Sequence, residues 1–558
     1  MYAAPLFTSL SFVRPAIGGL LAWALIGLAQ LMLNSLTLKA YDEGLTLFGA
    51  SAVSHGGAPY RDFWTLYGPG SFYALAGLYR LFGESVLVGR AFDAGARAAI
   101  VLMVWVLTRR RGGAVAAGVA ALAAFALLAG VREYLFPALP GTACALLAVA
   151  CGESVLMRGA AGGARPPAPP RAWAWPGAAV GLTLLFRHDF GLFAALALAV
   201  PLLSDRADGR SARIVAFLGG LLVVVGPVAA ALLLTVPVAA VYDNLVRIPA
   251  EVYVAYRSLP FTSIPQVVGA AVAARSPGPL AALLAFVPLG VVAVGVPLAL
   301  RTHWRRSRLA GGVPAPTGVS KSLLVLAALL SVKGSVRFEL VHMLPALLVS
   351  IVIVGRAWHV PVPRVVAWLG AAAMLGALVS GAFVAVTRLG AQRGGAERQP
   401  PILALADPGA CRDAVTSRLG CFVVGPEREA VLAYLRRHAR PGDRLYVGVG
   451  RHDKLFLNNV ELYFLSGLPP ATRWHDLHPG VQTTRARQEA MIAEMNAHPP
   501  AFVVLNSQWD TMREPNRSAV SSGVVLLDEY LASRFAVDLR AGTFSVLVPR
   551  ANLAPLAP

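Results

Sequence analysis

The chain has 558 residues, of which 56% are hydrophobic and only 14% are charged, and its mean hydropathy is +0.62. Soluble domains are about 45–50% apolar and about 25% charged, so this composition excludes a single ordinary soluble globule. The formal net charge is +20, but most of the excess lies in short loops between apolar segments, where positive charge keeps loops in the cytoplasm. The charge therefore does not indicate nucleic-acid binding, and we expect no nucleic acid among the partners.

Apolar stretches recur through the first two-thirds of the chain and predict a polytopic α-helical membrane domain over residues 1–389. The eleven predicted segments are 16–36, 88–108, 113–130, 134–157, 174–186, 189–203, 214–236, 280–300, 322–335, 340–356 and 364–387. Segments 174–186, 189–203 and 322–335 are shorter than the approximately 20 residues that a straight span needs. The charged residues at the ends of these short segments are predicted to face one side of the membrane.

The loops predict the orientation of these segments. Runs of arginine such as Arg109–Arg111 are typical of cytoplasmic loops. Eleven passes that start in the cytoplasm place five arginine-rich loops inside and the C-terminal part of the chain outside. Because the first apolar run is long and no clear small-residue cleavage site follows it, we interpret it as an uncleaved first helix rather than a signal peptide.

Residues 390–558 differ in composition and predict a C-terminal extracytoplasmic α/β domain. From residue 388 onwards the chain holds 20 basic and 16 acidic residues. Helices are predicted at 427–439, near 459–466 and at 484–498, strands at 444–449 and 502–505, and a helix with two strands within 524–548. Such strand–helix alternation is typical of a small α/β domain. Asn458, Asn459, Tyr463 and Arg473–His475 suit carbohydrate binding, with packing or interdomain contact as the alternative.

The four cysteines fall into two pairs. Cys144 and Cys151 lie in one apolar segment and are most simply core residues. Cys411 and Cys421, with turn-forming Gly420 between them, are a candidate disulfide in an oxidising compartment. The metal-ligand spacings CxxC and HExxH do not occur in the sequence.

The first long outer loop, residues 37–87, carries the densest group of candidate functional residues. Asp42 and Glu43 are adjacent carboxylates at the exit of the first predicted helix. Such a pair suits a general base, a sugar-hydroxyl site or a metal site, and the alternative is that it only ends a helix at the interface. Aromatic residues follow, and they form either an interfacial belt or part of a substrate site.

The order of motifs in this loop carries a family resemblance. After Asp42–Glu43 come Gly56–Asp62, Tyr67–Gly70, Leu81–Gly83 and Arg90. This order resembles that of the GT-C superfamily of integral-membrane glycosyltransferases, in the branch with protein O-mannosyltransferases and the lipid A aminoarabinose transferase. The resemblance extends in topology over most of residues 15–390.

The resemblance implies an inverting transfer of a sugar from a polyprenyl-phosphate donor to the hydroxyl of an envelope glycan, lipid or protein acceptor. The transfer would take place on the outer face of a bacterial inner membrane, with the lipid bilayer as a further partner. By position Asp42 matches the catalytic base, with Glu43 as its neighbour or substitute, because an acceptor hydroxyl needs a carboxylate to take its proton. The expected substrate-loop residues are Tyr60, Arg61, Asp62 and Tyr67. No cofactor is certain, and a divalent cation, Mg²⁺ or Mn²⁺, stays open.

A leaving phosphate gains negative charge and needs fixed cations. The candidate phosphate-binding residues are Arg187, His188, Lys333, Arg337 and His342, all near the ends of short segments. Ionisable groups inside a membrane protein are costly and indicate function by default, although each arginine could instead pair with the carboxylate two residues further on. We expect Arg187 and Arg337 to converge on one cavity with Asp42.

The second long outer loop, residues 237–279, contains Tyr253 and Arg257. Tyrosine and arginine at an interface commonly anchor amphipathic helices, and the alternative is a rim for the isoprenoid chain of a lipid donor.

A second class of function remains open beside the enzyme. A transporter for lipid-linked saccharides, or a non-enzymatic saccharide sensor, would also combine many spans with an outer domain. A transporter places ionisable groups near the bilayer midplane and shows repeated halves. Because the charges gather on one side and no internal repeat is visible, the sequence favours the enzyme.

Overall fold

The computed structural model describes residues 10–160, 168–204, 209–273, 278–308, 321–357, 375–376, 378–379 and 416–552. Its longer helices before residue 357 are α1 (Leu10–Met32), α2 (Asp42–Ser54), α3 (Gly70–Phe82), α4 (Val86–Gly130), α5 (Ala138–Ala160), α6 (Ala174–Phe186), α7 (His188–Ser204), α8 (Arg210–Thr235), α9 (Val238–Tyr242), α10 (Val254–Arg257), α11 (Ile264–Ala273), α12 (Val287–Arg308), α13 (Lys321–Ser335) and α14 (Leu340–Arg356). A π-helix at Asp243–Tyr253 joins α9 to α10, and 3₁₀ turns at Pro170–Trp173 and Gly278–Phe286 precede α6 and α12.

The helices coincide with the apolar segments that the sequence predicts. The short predicted segments 174–186 and 189–203 correspond to α6 and α7, two separate helices joined at Arg187. Among the described residues, three helices are long and apolar enough to cross a membrane, Val86–Gly130, Ala138–Arg158 and Arg210–Thr235, and four shorter apolar helices accompany them. These helices indicate a membrane protein. The count of eleven stays a prediction, because segment 364–387 lies almost entirely outside the described residues.

Helix α4 is two antiparallel helices joined at a sharp break. Gly113, just after Arg109–Arg111, has φ 78° and ψ 179°, which no helix contains and which glycine adopts without strain. Before the break, Arg97 donates hydrogen bonds to the carbonyl oxygens of Val131 at 3.1 Å and Glu133 at 2.7 Å. Arg97 and its partners thus lie on opposite sides of Gly113, at similar distances along the sequence, so the two halves of α4 form a helical hairpin. The sequence predicts such a hairpin, with one apolar segment on each side of the arginines.

The first outer loop is folded rather than extended, and it contains α2 and α3. The acidic pair Asp42–Glu43 begins α2, which corrects the expectation that it lies at the exit of the first helix, since α1 ends at Met32. Carboxylates in the first turn interact favourably with the positive end of a helix. The next residue, Gly44, packs closely against the backbone of Glu461. Any other residue at this position would place its Cβ 2.5 Å from the Glu461 backbone nitrogen, so glycine is required there.

Residues 416–552, called the C-terminal region below, contain a four-stranded mixed sheet in the order β1–β2–β4–β3. Strand β1 (Leu445–Val449) pairs in parallel with β2 (Phe502–Asn506), while β4 (Phe544–Pro549) pairs antiparallel with both β2 and β3 (Phe535–Ala541). The accompanying helices are α15 (Pro426–His438), α16 (Glu461–Ser466), α17 (Arg485–Ala497) and α18 (Leu526–Arg534). Each helix and strand predicted after residue 426 is therefore confirmed.

The C-terminal region shares a hydrophobic core with the first outer loop. Side chains of α2 and α3 pack in one buried cluster with residues of β1, α16 and β2. Backbone hydrogen bonds of 2.9 Å join Leu38 N–H to the Val423 oxygen and Val423 N–H to the Leu36 oxygen. Contacts with the C-terminal region thus fix the position of α2, the helix that follows the first apolar segment.

Of the four cysteines, Cys144 and Cys151 are free, as expected for core residues. Cys421 is disulfide-bonded. Its predicted partner Cys411 lies outside the described residues, so the pairing of these two cysteines stays a prediction.

Candidate active site

A cavity of about 760 Å³ lies where the first outer loop, the second outer loop, α14 and the C-terminal region meet. Its polar lining includes Lys39, Tyr41, Asp42, Tyr67, Glu133, Tyr253, Arg257, Arg337, Glu339, His342, Glu427, Arg428, Asn459, Asp476 and His478. Carboxylates and guanidinium groups therefore face one partly open cavity, in which charges interact more strongly than in bulk water.

Asp42 lies at the first position of α2 and lines this cavity. The Tyr67 hydroxyl donates a hydrogen bond of 3.3 Å to Asp42 Oδ1. Burial raises the pKa of Asp42 from 3.8 to about 6, and the negative charge of Glu133 adds to this, while Tyr67 and the charge of Arg257 act in the opposite direction. A carboxylate with this pKa is ionised at neutral pH and is basic enough to share a proton with a reacting hydroxyl.

A second carboxylate faces the cavity from the C-terminal region. Asp476 is 2% exposed, and its Oδ1 accepts a hydrogen bond of 3.0 Å from the Tyr41 hydroxyl. Burial raises the pKa of Asp476 to about 7, and the nearby charge of Asp42 also raises it. The two carboxylates therefore belong to one electrostatic site, although they are far apart in sequence.

The pKa of Asp42 gives an expected pH dependence. If the carboxylate form of Asp42 is the active form, kcat/KM rises with pH through about 6 and levels off above it, because protonation removes the base as the pH falls. The measurement is a pH–rate profile of sugar transfer by the purified protein. A half-point at about pH 4, the ordinary value for an aspartate, would contradict the assignment.

The cationic side of the cavity is formed by Arg257 and Arg337. Arg337 donates to both oxygens of Glu514, at 3.0 Å and 2.5 Å, and to the backbone oxygen of Arg257 at 3.2 Å. Arg257 is 6% exposed, its Nη1 lies 3.6 Å from Glu514, and that nitrogen has no hydrogen-bond partner. His342 lines the same space. Both guanidinium groups thus share Glu514 as a counter-charge, and Arg257 Nη1 keeps a hydrogen-bond donor that Glu514 does not use.

The other candidate phosphate-binding residues do not line the cavity. Arg187 binds Asp189 through two hydrogen bonds, of 2.9 Å and 2.8 Å, which is the alternative that the sequence left open. Its guanidinium carbon is 5.7 Å from the ring centre of Tyr67. Lys333 and His188 interact electrostatically with this ion pair. Arg337 and Asp42 thus line one cavity. Arg187 does not line it, although its positive charge lowers the pKa of Asp42.

Glu43 has a different environment from Asp42. It is fully buried, and both of its oxygens bind Arg90, with a distance of 2.9 Å between Glu43 Oε2 and Arg90 Nη2. Glu43 Oε2 also accepts a hydrogen bond of 2.9 Å from the Lys39 N–H. Glu43 does not line the cavity that Asp42 lines. Among the described residues, no group of three or more His, Cys, Asp or Glu side chains is arranged to hold a metal.

The predicted substrate loop is divided between two sites. Only Tyr67 lines the first cavity, and its backbone oxygen accepts a hydrogen bond of 2.7 Å from the Tyr60 hydroxyl, which is itself buried. Arg61 pairs with Asp62 through bonds of 2.9 Å and 2.7 Å. These two residues line a second cavity of about 700 Å³, together with His55.

Three residues of the cavity are not predicted from the sequence as part of the site: Arg257, Asp476 and His478. The sequence predicts an interfacial anchor or a rim residue at Arg257, and the two others follow the segment 473–475 that it predicts to suit carbohydrate. The one available signal is the density of ionisable residues between Arg473 and His478 in a loop without regular structure.

No protein-family model matches the sequence, and no curated protein matches it. Among solved structures, ArnT from Cupriavidus metallidurans bound to undecaprenyl phosphate is 17% identical and has a TM-score of 0.54, over 97% of this chain and 99% of that chain. Apo ArnT gives the same identity and TM-score, over 97% and 100% of the two chains. The archaeal oligosaccharyltransferase AglB from Archaeoglobus fulgidus is 11% identical, with a TM-score of 0.49, over 96% and 75%. The likeness to ArnT extends over nearly the whole length of both proteins. At the level of the fold it confirms the expectation from the first outer loop, because this chain shares the fold of ArnT, a GT-C glycosyltransferase.

Proposed function

We propose that this protein is a glycosyltransferase that moves a sugar from a polyprenyl-phosphate donor to the hydroxyl of an acceptor. The observation that carries the proposal is the cavity in which Asp42 faces Arg257 and Arg337. This cavity combines a carboxylate that can take a proton with cations that can hold a phosphate. The fold supports the proposal, since one ArnT structure contains undecaprenyl phosphate.

In the proposed reaction the acceptor oxygen attacks the anomeric carbon of the donor sugar. Asp42 takes the proton of that hydroxyl as the new carbon–oxygen bond forms. The bond between the anomeric carbon and the phosphate oxygen breaks, and the polyprenyl phosphate leaves with the electron pair. Arg257 and Arg337 stabilise the negative charge that develops on the phosphate. A single direct displacement of this kind inverts the configuration at the anomeric carbon.

The test is an assay with purified protein in detergent. The protein is incubated with a panel of radiolabelled polyprenyl-phosphate sugars and with glycan, lipid and protein acceptors from an envelope fraction. Transfer of label from at least one donor to an acceptor is expected. If donors bind and cross a vesicle bilayer without any transfer, the transporter becomes the better interpretation.

Substitution of Arg337 is expected to impair donor use. Arg337→Lys keeps the charge but loses the planar fork that binds two oxygens, so partial activity is expected, whereas Arg337→Ala removes the charge and nearly abolishes transfer. The measurement is the KM for the donor together with kcat. The control is Arg437→Ala, at an exposed position of α15, which is expected to match the wild type. Equal kinetics in the Ala and Lys variants would contradict a phosphate role.

The orientation in the membrane is part of the proposal. We place the N-terminus in the cytoplasm of a bacterial cell, and residues 390–558 and the cavity on the outer side of its inner membrane. A phosphatase reporter that is active only outside the cytoplasm is expected to be active when it is fused after Pro558 and inactive when it is inserted after Arg111. The reverse pattern would place the cavity on the cytoplasmic side.

A further inference from the structure

His478 is a buried side chain of the C-terminal region that the proposed reaction does not yet use. It is 2% exposed and lines the cavity that contains Asp42. Its ring centre lies 5.6 Å from that of Tyr253 and 6.2 Å from that of Trp64, so two aromatic rings hold the imidazole in place. The side chain therefore has a fixed orientation at the cavity wall.

The hydrogen bonds of His478 define what its ring offers to a ligand. Nδ1 lies 2.9 Å from the backbone oxygen of Pro479. A carbonyl oxygen only accepts, so Nδ1 carries the hydrogen and donates it, and Nε2 of the neutral ring is then an acceptor. Burial lowers the pKa of His478 to about 3, and the charge of Arg257 lowers it further, so the ring stays neutral at physiological pH.

The Nε2 atom of His478 is buried and has no hydrogen-bond partner. An unpaired acceptor in the protein interior is unfavourable, and each one calls for an explanation. A hydrogen-bond donor on a bound ligand would satisfy this acceptor. Asp476, two residues earlier, adds a carboxylate that also faces the cavity, so this wall offers acceptors to a ligand.

The donor that satisfies Nε2 has to fit a wall with charges of both signs. Arg257 and Arg337 act electrostatically on His478, and Asp476 lines the same cavity. A neutral hydroxyl donates a hydrogen bond to Nε2 without bringing a further charge to this wall. Tyr253 lies beside the imidazole and lines the same cavity, and an aromatic ring suits the C–H surface of a pyranose or furanose ring. A sugar hydroxyl satisfies all of these conditions.

We propose that His478 binds a hydroxyl group of the saccharide substrate through Nε2, so that the C-terminal region supplies part of the sugar site. This inference rests on the proposed function and adds a residue that holds the substrate. Two sources provide the same chemistry: the sugar of the lipid-linked donor and a saccharide acceptor. The experiment separates them.

Two variants at this position test the role of the acceptor atom. His478→Phe keeps a planar ring but removes the Nε2 lone pair, whereas His478→Gln offers an amide oxygen as a replacement acceptor. The matched control is His475→Phe in the same segment. His475 is fully buried and its Nε2 is also unpaired, but it packs against Phe48 and Phe63 and does not line the cavity.

The first arm measures binding by tryptophan fluorescence, with undecaprenyl phosphate without sugar and with the polyprenyl-phosphate sugars that the wild type binds. His478→Phe is expected to weaken binding of a sugar-bearing lipid about tenfold, the effect of one hydrogen bond to a buried acceptor, and to leave the sugarless lipid unchanged. His478→Gln is expected to recover part of the loss. His475→Phe is expected to bind both lipids as the wild type does.

The second arm measures the KM for the acceptor at saturating donor. A change only in this arm assigns the hydroxyl to the acceptor, and a change only in the first arm assigns it to the donor. A folded His478→Phe variant with wild-type values in both arms overturns the inference. Melting temperature reports folding, and His478→Leu, which also removes the lone pair, replaces the Phe variant if that variant unfolds. If the wild type transfers no sugar at all, the proposed function fails; if it does transfer sugar, only this inference is at stake.

Discussion

Replacing Asp42 with asparagine is expected to lower the rate of sugar transfer by about 10²–10⁴-fold, the usual contribution of a general base. The amide has nearly the same shape, and its oxygen can still accept the hydrogen bond that Tyr67 donates to Asp42 Oδ1. Because the substitution removes only the proton acceptor, binding of undecaprenyl phosphate and the melting temperature are expected to change little. Single-turnover transfer from a labelled donor measures the effect.

The matched control is Asp62→Asn in the same outer loop. Asp62 is partly exposed, pairs with Arg61 and lines the second cavity rather than the first. Its variant is expected to retain sugar transfer. The assignment of Asp42 fails if the two variants lose activity equally, or if Asp42→Asn transfers sugar at the wild-type rate.

Substitution of the neighbouring Glu43 is expected to affect stability instead. Glu43→Gln leaves the fully buried Arg90 without its counter-charge, and breaking a buried ion pair in this way costs about 3–5 kcal/mol of the free energy of unfolding. Thermal unfolding in detergent measures the change as a lower melting temperature. The protein that remains folded is expected to have close to wild-type kcat.

The double variant Glu43→Leu/Arg90→Met provides the control for this ion pair. Removing both charges eliminates the uncompensated cation, and apolar replacements of buried ion pairs are often neutral or stabilising. The double variant is therefore expected to unfold at a higher temperature than Glu43→Gln. A Glu43→Gln protein with wild-type stability and no activity would transfer the role of base to Glu43.

Much of the fold follows directly from the sequence, because apolar length and charge in the loops depend on local composition. Helices α6 and α7 begin and end within one or two residues of the predicted segments. The break in α4 falls at Gly113, directly after the arginines that predicted a loop. The C-terminal strands were similarly predictable, since short apolar runs between turn residues are typical of strands.

The site was only partly predictable, because its residues meet through tertiary contacts. Asp42 and Glu43 look equivalent in sequence, yet successive residues on a helix point about 100° apart, so Asp42 faces the cavity and Glu43 faces Arg90. Arg257 and Asp476 come from segments that no local pattern connects to α2. Arg187 pairs with Asp189 and does not line the cavity. This pairing depends on the turn between α6 and α7, which no local sequence pattern specifies.

The backbone pairing of Leu38 with Val423 has a consequence for how the protein is made. These residues are separated by most of the chain, and at about 5–20 residues per second a ribosome needs roughly 20–80 seconds to synthesise the part between them. During this interval α2 is already synthesised but lacks the side chains of β1 and α16 that complete its buried core. A nascent chain that ends before Asp476 contains Asp42 but lacks Asp476 and His478, which line the same cavity. We therefore expect sugar transfer only from chains in which this region has been synthesised, and we expect prematurely terminated chains to be inactive even if all their membrane helices are inserted.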